Sequence, residues 1–151
     1  MADPAEIGQQ AVDLFTQGYS CAQAVLAACA PTLGLDRETA LRLGSSLGAG
    51  LGGLRETCGA VTAMAALLGL KDGPTTPMAA KEKAALYQKV QAAIAAFDST
   101  FATHNCRELL QRASIQKQAG VAPEERTPDY YAKRPCAAFV RYCATQVAAA
   151  N

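Results

Sequence analysis

The chain has no tryptophan, and only four phenylalanines and five tyrosines among its 151 residues. An interior short of large rings has to be filled by small and branched aliphatic side chains. Alanine and leucine dominate the apolar half of the sequence, while valine and isoleucine are few, a balance that favours close-packed helices over sheet. Charge of one sign is also lacking: fourteen Lys and Arg against thirteen Asp and Glu leave a formal net charge of +1. No nucleic-acid footprint and no polybasic membrane anchor is therefore expected. Long apolar runs are absent as well. The longest, Ala60 to Leu70, is interrupted by Thr62 and Gly69, ends at Lys71 and is too short to cross a bilayer. The opening MADPAEIGQQ carries neither the basic stretch nor the apolar core of a secretory signal, so a cytoplasmic location is expected.

Against these absences stand six cysteines. In a reducing compartment they are poor candidates for standing disulfides, and metal binding or redox chemistry explains them better. No C-x-x-C occurs, which removes the thioredoxin-type motif and the zinc-ribbon knuckle. Any site built from these thiols must be assembled by tertiary packing.

Capping signals place the cysteines. A first helix is expected over Pro4 to Gln17, closed by Gly18. In SCAQAVLAACAPTLG, Ser20 and Gln23 form a capping box that puts Cys21 at the first helical position. Asp36 caps a third helix through RETALRLGSSL, which dissolves into GAGLGG. A fourth helix is expected from Cys58 to Leu70, after Thr57. Thr76 and Pro77 read as cap and first residue of a fifth, about Met78 to Thr103. Asn105 caps the next, with Glu108 as its reciprocal partner and Cys106 in the first turn. Ala119 to Arg134, rich in proline and charge, reads as a long surface loop anchored to the core by Tyr130 and Tyr131. The last helix opens at Pro135–Cys136 and runs to about Ala149. Without strand-period alternation, the expectation is all-α: residues 1–151 as one domain, a bundle of about six to seven helices with a glycine-rich loop before the fourth.

Cys21, Cys58, Cys106 and Cys136 thus each open a different helix. Unpaired amides and the macrodipole give such positions positive partial charge, which lowers a thiol pKa and favours the thiolate that ligates metals or attacks disulfides. If the four starts converge, four thiolates surround one cation or cluster. Cys29 and Cys143 lie deeper along the second and last helices, where core filling is the better reading.

Other patterns carry less. GAGLGG satisfies the spacing of a dinucleotide fingerprint but follows a helix-like segment, where that fingerprint requires a strand. Its glycines are better read as letting backbone approach a cofactor, with amides free to donate to sulfur. On that reading Gly50, Gly52, Gly53 and Gly59 are the expected cofactor-contacting positions. His104, the single histidine, is a weak candidate ligand or proton relay. Arg55 and Arg107 flank proposed thiolates and read first as solvated surface. No nucleophile–base–acid set emerges, so no catalytic residue is assigned.

The segments GYSCAQAVL, GAGLGGLRETCGAVTA, NCRELL and CAAFVRYCA together resemble a family of redox-active proteins named for its C…GCAxxG…C…C cysteine pattern. The resemblance runs from about Gly18 into the last helix. Its four characteristic cysteines fall on Cys21, Cys58, Cys106 and Cys136, and Gly59–Ala60 also match, whereas Ala63 stands where the family has glycine. The resemblance implies a redox role with an iron–sulfur cluster as the prosthetic group. A related domain in split-Soret cytochromes is associated with a [2Fe–2S] centre. Without C-x-x-C-H, covalent c-type haem is not implied.

These readings combine into one expectation: an iron–sulfur electron carrier, with a [2Fe–2S] or [4Fe–4S] cluster held by Cys21, Cys58, Cys106 and Cys136, serving a redox partner protein. A zinc protein using the same four thiols, or a metal-free thiol–disulfide protein, are the alternatives. Alanine-rich helix faces, which pack closely, lean towards a homodimer.

Overall fold

A computed structural model describes residues 2–150. They form eight α-helices: α1 (Pro4–Thr16), α2 (Cys21–Cys29), α3 (Arg37–Ser45), α4 (Gly59–Asp72), α5 (Ala80–Phe101), α6 (Cys106–Arg112), α7 (Pro128–Lys133) and α8 (Cys136–Ala149). A 3-10 turn, Ala30–Leu33, continues α2. No strand occurs among the described residues, where only an isolated β-bridge joins Thr57 and Asn105. The protein is a single all-α domain, as the composition leads one to expect.

The helix α2 is apolar on nearly every side: seven of its nine residues, Ala22 and Ala24 to Cys29, are buried. Such a helix has no solvent face and must occupy the centre. It does, packing against α1, α3, α4 and α8. Alanines let these neighbours come close, and the larger side chains Phe15, Val25, Met64, Leu67 and Val140 fill the gaps between them. By contrast α5 buries only Phe97 and touches the rest mainly through α4 and α8. Phe97, Phe101, Phe139 and Tyr142 form an edge-to-face cluster, with ring centroids 4.8–5.9 Å apart, that fastens its C-terminal half.

Local caps formed where short-range chemistry dictates them. Ser20 and Gln23 make both bonds of the capping box, and Asp36 accepts from the Thr39 amide. Asn105 accepts from the Glu108 amide, but Glu108 does not reciprocate directly. Its carboxylate accepts from the Thr103 hydroxyl at 2.6 Å, and that oxygen accepts from the Asn105 amide at 3.2 Å. Three boundaries differ from expectation. Cys58 is the cap residue of α4 and not its first residue. Thr76 and Pro77 lie in a bend and turn, so α5 opens only at Ala80, behind the buried Ala79. The expected loop from 119 to 134 contains α7, capped by the Thr127 hydroxyl, which accepts from the Tyr130 amide at 3.1 Å. That short helix brings the total above the expected count.

Candidate functional site

Cys21, Cys106 and Cys136 are the first residues of α2, α6 and α8, and Cys58 is the residue before α4. All four line one cavity of about 570 Å³. Its second wall is the turn from Gly48 to Gly53, and its third is a strap, residues 117–134, crossing in front of the helix starts.

The turn is left-handed from Ala49 to Gly53. Ala49, Gly50, Leu51, Gly52 and Gly53 have φ between 52° and 83°, and Arg55 follows at 59°. For Ala49, Leu51 and Arg55 that conformation costs roughly 1–2 kcal/mol each. What it secures is proximity. A Cβ on Gly50 would lie 2.7 Å from the Cβ of Cys106 and from the Glu56 nitrogen, so only glycine lets the turn come this near. A Cβ on Gly53 would collide with the Gly120 carbonyl of the strap, and the Gly120 amide donates to the Gly53 carbonyl. Gly52 and Gly59 also line the cavity. The amides of Gly48, Ala49, Gly50 and Gly52 have no protein acceptor among the described residues.

Backbone pairing then sets Cys58 beside Cys106. The Cys58 amide donates to the His104 carbonyl at 2.8 Å, and the Cys106 amide donates to the Glu56 carbonyl at 2.6 Å. Both amides are therefore occupied, not free to solvate their own thiols. His104 serves this pairing through its peptide oxygen. Its ring turns to Asp98, 2.8 Å from Nδ1, and does not line the cavity.

The four thiols are close enough to oppose one another's ionisation. Cys21 is raised well above the ordinary thiol range, mainly because it donates to Cys136, then by burial and by repulsion from the other three sulfurs. Cys58 is pushed up to about 12 by burial and by Cys136. The nearby Val61 and Ala60 amides favour its thiolate, though they make no capping bond to it. Burial also raises Cys106, against the pull of Arg55, whose Nη1 lies 3.8 Å from its sulfur. Only Cys136 is lowered, to about 7, by the hydrogen bond from Cys21 and by Arg134. Three of the four thiols are thus raised and not lowered as expected at every helix start: a hydrogen bond to Cys136 and burial raise Cys21, and burial raises Cys58 and Cys106.

Cationic side chains complete the cavity, and sequence reasoning missed most of them. Arg134 is 8% exposed, is hydrogen-bonded to Glu124 at 2.6 Å, and lies over the Tyr130 ring at 4.8 Å. Lys117 pairs with the same carboxylate at 2.6 Å. Arg126 stacks on Tyr130 at 4.7 Å and on Phe15 at 5.0 Å, and donates to the Phe15 carbonyl, as does the Tyr131 hydroxyl. Tyr130 and Tyr131 do anchor the segment to the core. The composition of the segment, ERTPDYYAKR, holds two arginines and two adjacent rings, and that was the available signal. Arg55 is likewise more than surface: its Nε is buried without a partner. Arg107 Nε is also buried and unpaired, while its Nη2 donates to the Leu54 carbonyl.

Cys29 and Cys143 stay out of the cavity. Both are buried in the core, their thiols raised by desolvation, to about 12 for Cys29. All six cysteines are free. Among the described residues no three His, Cys, Asp or Glu side chains are grouped tightly enough to hold a single ion, and no helix is long and apolar enough to cross a membrane.

No curated protein and no solved structure was found to match the chain. Residues 19–150, which include all four cavity cysteines and the whole glycine turn, match the model of the family described as "Putative redox-active protein (C_GCAxxG_C_C)". The chain belongs to that family.

Proposed function

We propose that the protein is an iron–sulfur electron-transfer protein whose ligands are Cys21, Cys58, Cys106 and Cys136. The observation that carries this reading is convergence: four thiols from four separate segments face one cavity while the remaining two are sealed in the core. An all-thiol donor set suits iron–sulfur clusters and zinc. A single tetrahedral zinc with Zn–S bonds of about 2.3 Å needs its four sulfurs within roughly 4 Å of one another. No group of donors that tight occurs among the described residues. Four buried or half-buried thiols that repel one another when ionised also favour a highly charged metal core as the partner that deprotonates them.

When bound, such a cluster would supply one-electron redox chemistry. The chain would supply the environment. Arg55, Arg126 and Arg134 offset the negative charge of the thiolates, and the unpaired amides of the glycine turn are available to donate to sulfur. Both effects stabilise the reduced, more negative state and raise the potential.

A second reading, a metal-free thiol–disulfide protein, draws on the pairing of Cys21 with Cys136, the one thiol lowered to about 7. Zinc, iron and acid-labile sulfide assays on anaerobically purified protein separate the readings. The proposal expects iron and sulfide in near-equal amounts with visible charge-transfer bands. Stoichiometric zinc without sulfide, or no metal at all from cells competent in cluster assembly, would refute it.

A further inference from the structure

The cavity is larger than its proposed cofactor. The eight atoms of a [4Fe–4S] core displace no more than about 240 Å³, at roughly 30 Å³ for each water-sized volume. More than half of the 570 Å³ remains, enough for a small molecule.

The charge of the walls is also out of proportion. Arg55, Lys117, Arg126 and Arg134 line the cavity, with Glu124 as the only lining carboxylate. Glu124 is shared by Lys117 and Arg134. Arg55 is committed to Cys106. That leaves Arg126, which has no carboxylate partner among the described residues and whose guanidinium carbon lies 4.7–5.8 Å from the ring centroids of Phe15, Tyr130 and Tyr131. Its Nη1 is taken by the Phe15 carbonyl and the Tyr131 hydroxyl. The other guanidinium N–H groups have no protein acceptor among the described residues. A four-thiolate cluster in its oxidised form is a dianion, so it does not exhaust the four cations even after Glu124 is counted. Three surrounding rings and the two Nη1 hydrogen bonds restrain the guanidinium, and a restrained guanidinium is prepared to take a carboxylate or oxyanion through its remaining N–H groups.

We propose that the strap side of the cavity, centred on Arg126 with Lys117 and Arg134 beside it, binds one small anion, a carboxylate or oxyanion, next to the cluster. This rests on the cluster reading, because the remaining volume and the surplus charge are reckoned with the cluster in place. It makes the centre accessible to a small-molecule ligand and not a sealed relay.

The test is equilibrium dialysis of the anaerobically purified, cluster-loaded protein against radiolabelled inorganic phosphate and, separately, acetate, at low ionic strength. Iron and sulfide are assayed on the same samples, so loss of the cluster is recorded independently of anion binding. The expected result is saturable binding of one anion per chain, with a change in the visible circular dichroism of the cluster on saturation. Arg126→Gln should weaken binding at least tenfold. Glu124→Gln, which releases Lys117 and Arg134 from their shared carboxylate, should strengthen it severalfold, an effect that general destabilisation of the strap would not produce. Absence of saturable binding of either anion to loaded protein, or binding indifferent to both substitutions, overturns the proposal. Iron- and sulfide-free preparations from competent cells would instead count against the cluster.

Discussion

Cys143 and Cys136 are two turns apart on one helix, yet they occupy different chemical worlds. Cys143, with Cys29, sits in alanine, valine and phenylalanine side chains, its Sγ–H unionised and its neighbours apolar. Cys136 faces three other thiols and two arginines. Nothing intrinsic to cysteine distinguishes the two sites. What differs is that one lies inside helix-to-helix packing, where burial among mostly apolar side chains dominates. The other lies where helices begin, and where a strained turn and a strap bring in polar groups. A bundle of small residues packs well along its length but leaves its ends to loops, and the ends are where chemistry can be assembled.

The largest effect expected from this contrast is on cofactor content. Replacing any one of Cys21, Cys58, Cys106 or Cys136 by alanine should reduce bound iron to near zero, while Cys29→Ala or Cys143→Ala should leave it unchanged. The two core variants lose only a small packed side chain and should be destabilised by roughly 1 kcal/mol. Iron analysis and thermal melts of the six variants check both halves.

Next in size is Gly50→Ala. The added methyl meets the Cys106 Cβ and the Arg55–Glu56 backbone, and the residue keeps a positive φ. Overpacking and left-handed strain together should cost about 2–4 kcal/mol. The loss should appear as a melting temperature lowered by roughly 5–15 °C. An alanine at Gly69, where nothing lies within 4 Å, should cost nothing comparable.

A smaller change follows from Arg55→Gln. With the cation beside Cys106 removed, the more negative reduced state loses stabilisation, and the midpoint potential of the loaded protein should fall by about 60 mV, one tenfold step for a single electron. In cluster-free protein the Cys106 thiol should rise further, since Arg55 is what holds it down against burial. Spectroelectrochemistry and thiol titration read the two effects separately.

The smallest effect concerns acid. Glu124 is held below its ordinary 4.5 by Lys117 and Arg134. A carboxyl depressed in the folded state contributes stability above its unfolded pKa and loses it as pH falls through the lowered value. Amide protection factors in residues 117–134 should therefore be constant from neutral pH to about 5 and decline below about 4. Those of α2 and α8, whose packing holds no such ion pair, should hold to lower pH.

Much of the fold was legible because its signals are short-range. Ser20 with Gln23, Asp36 with Thr39 and Asn105 with Glu108 are decided within four residues, and each helix starts where its cap says. The limit shows in two Thr-Pro dipeptides with the same capping signature. Thr127–Pro128 opens α7 because Tyr130 and Tyr131 pack on Phe15 and secure the first turn. Thr76–Pro77 opens no helix: Met78 is 91% exposed, so the side chain that follows the proline packs on nothing that would secure a first turn. The site divides in the same way. Helix-start placement singled out the four cavity cysteines. The contacts of Arg126 with Phe15 and of Arg55 with Cys106 join positions 111 and 51 residues apart in sequence, and the shifts of the thiols arise only once such distant segments meet.

The account turns on whether those four sulfurs share one metal-bearing group, and iron with acid-labile sulfide in anaerobically purified protein measures that most directly. Iron and sulfide in near-equal amounts, abolished together by substitution of Cys58 and untouched by substitution of Cys143, is the predicted result. Protein from cluster-competent cells that is colourless and free of both, or iron that survives the loss of Cys58, would contradict it.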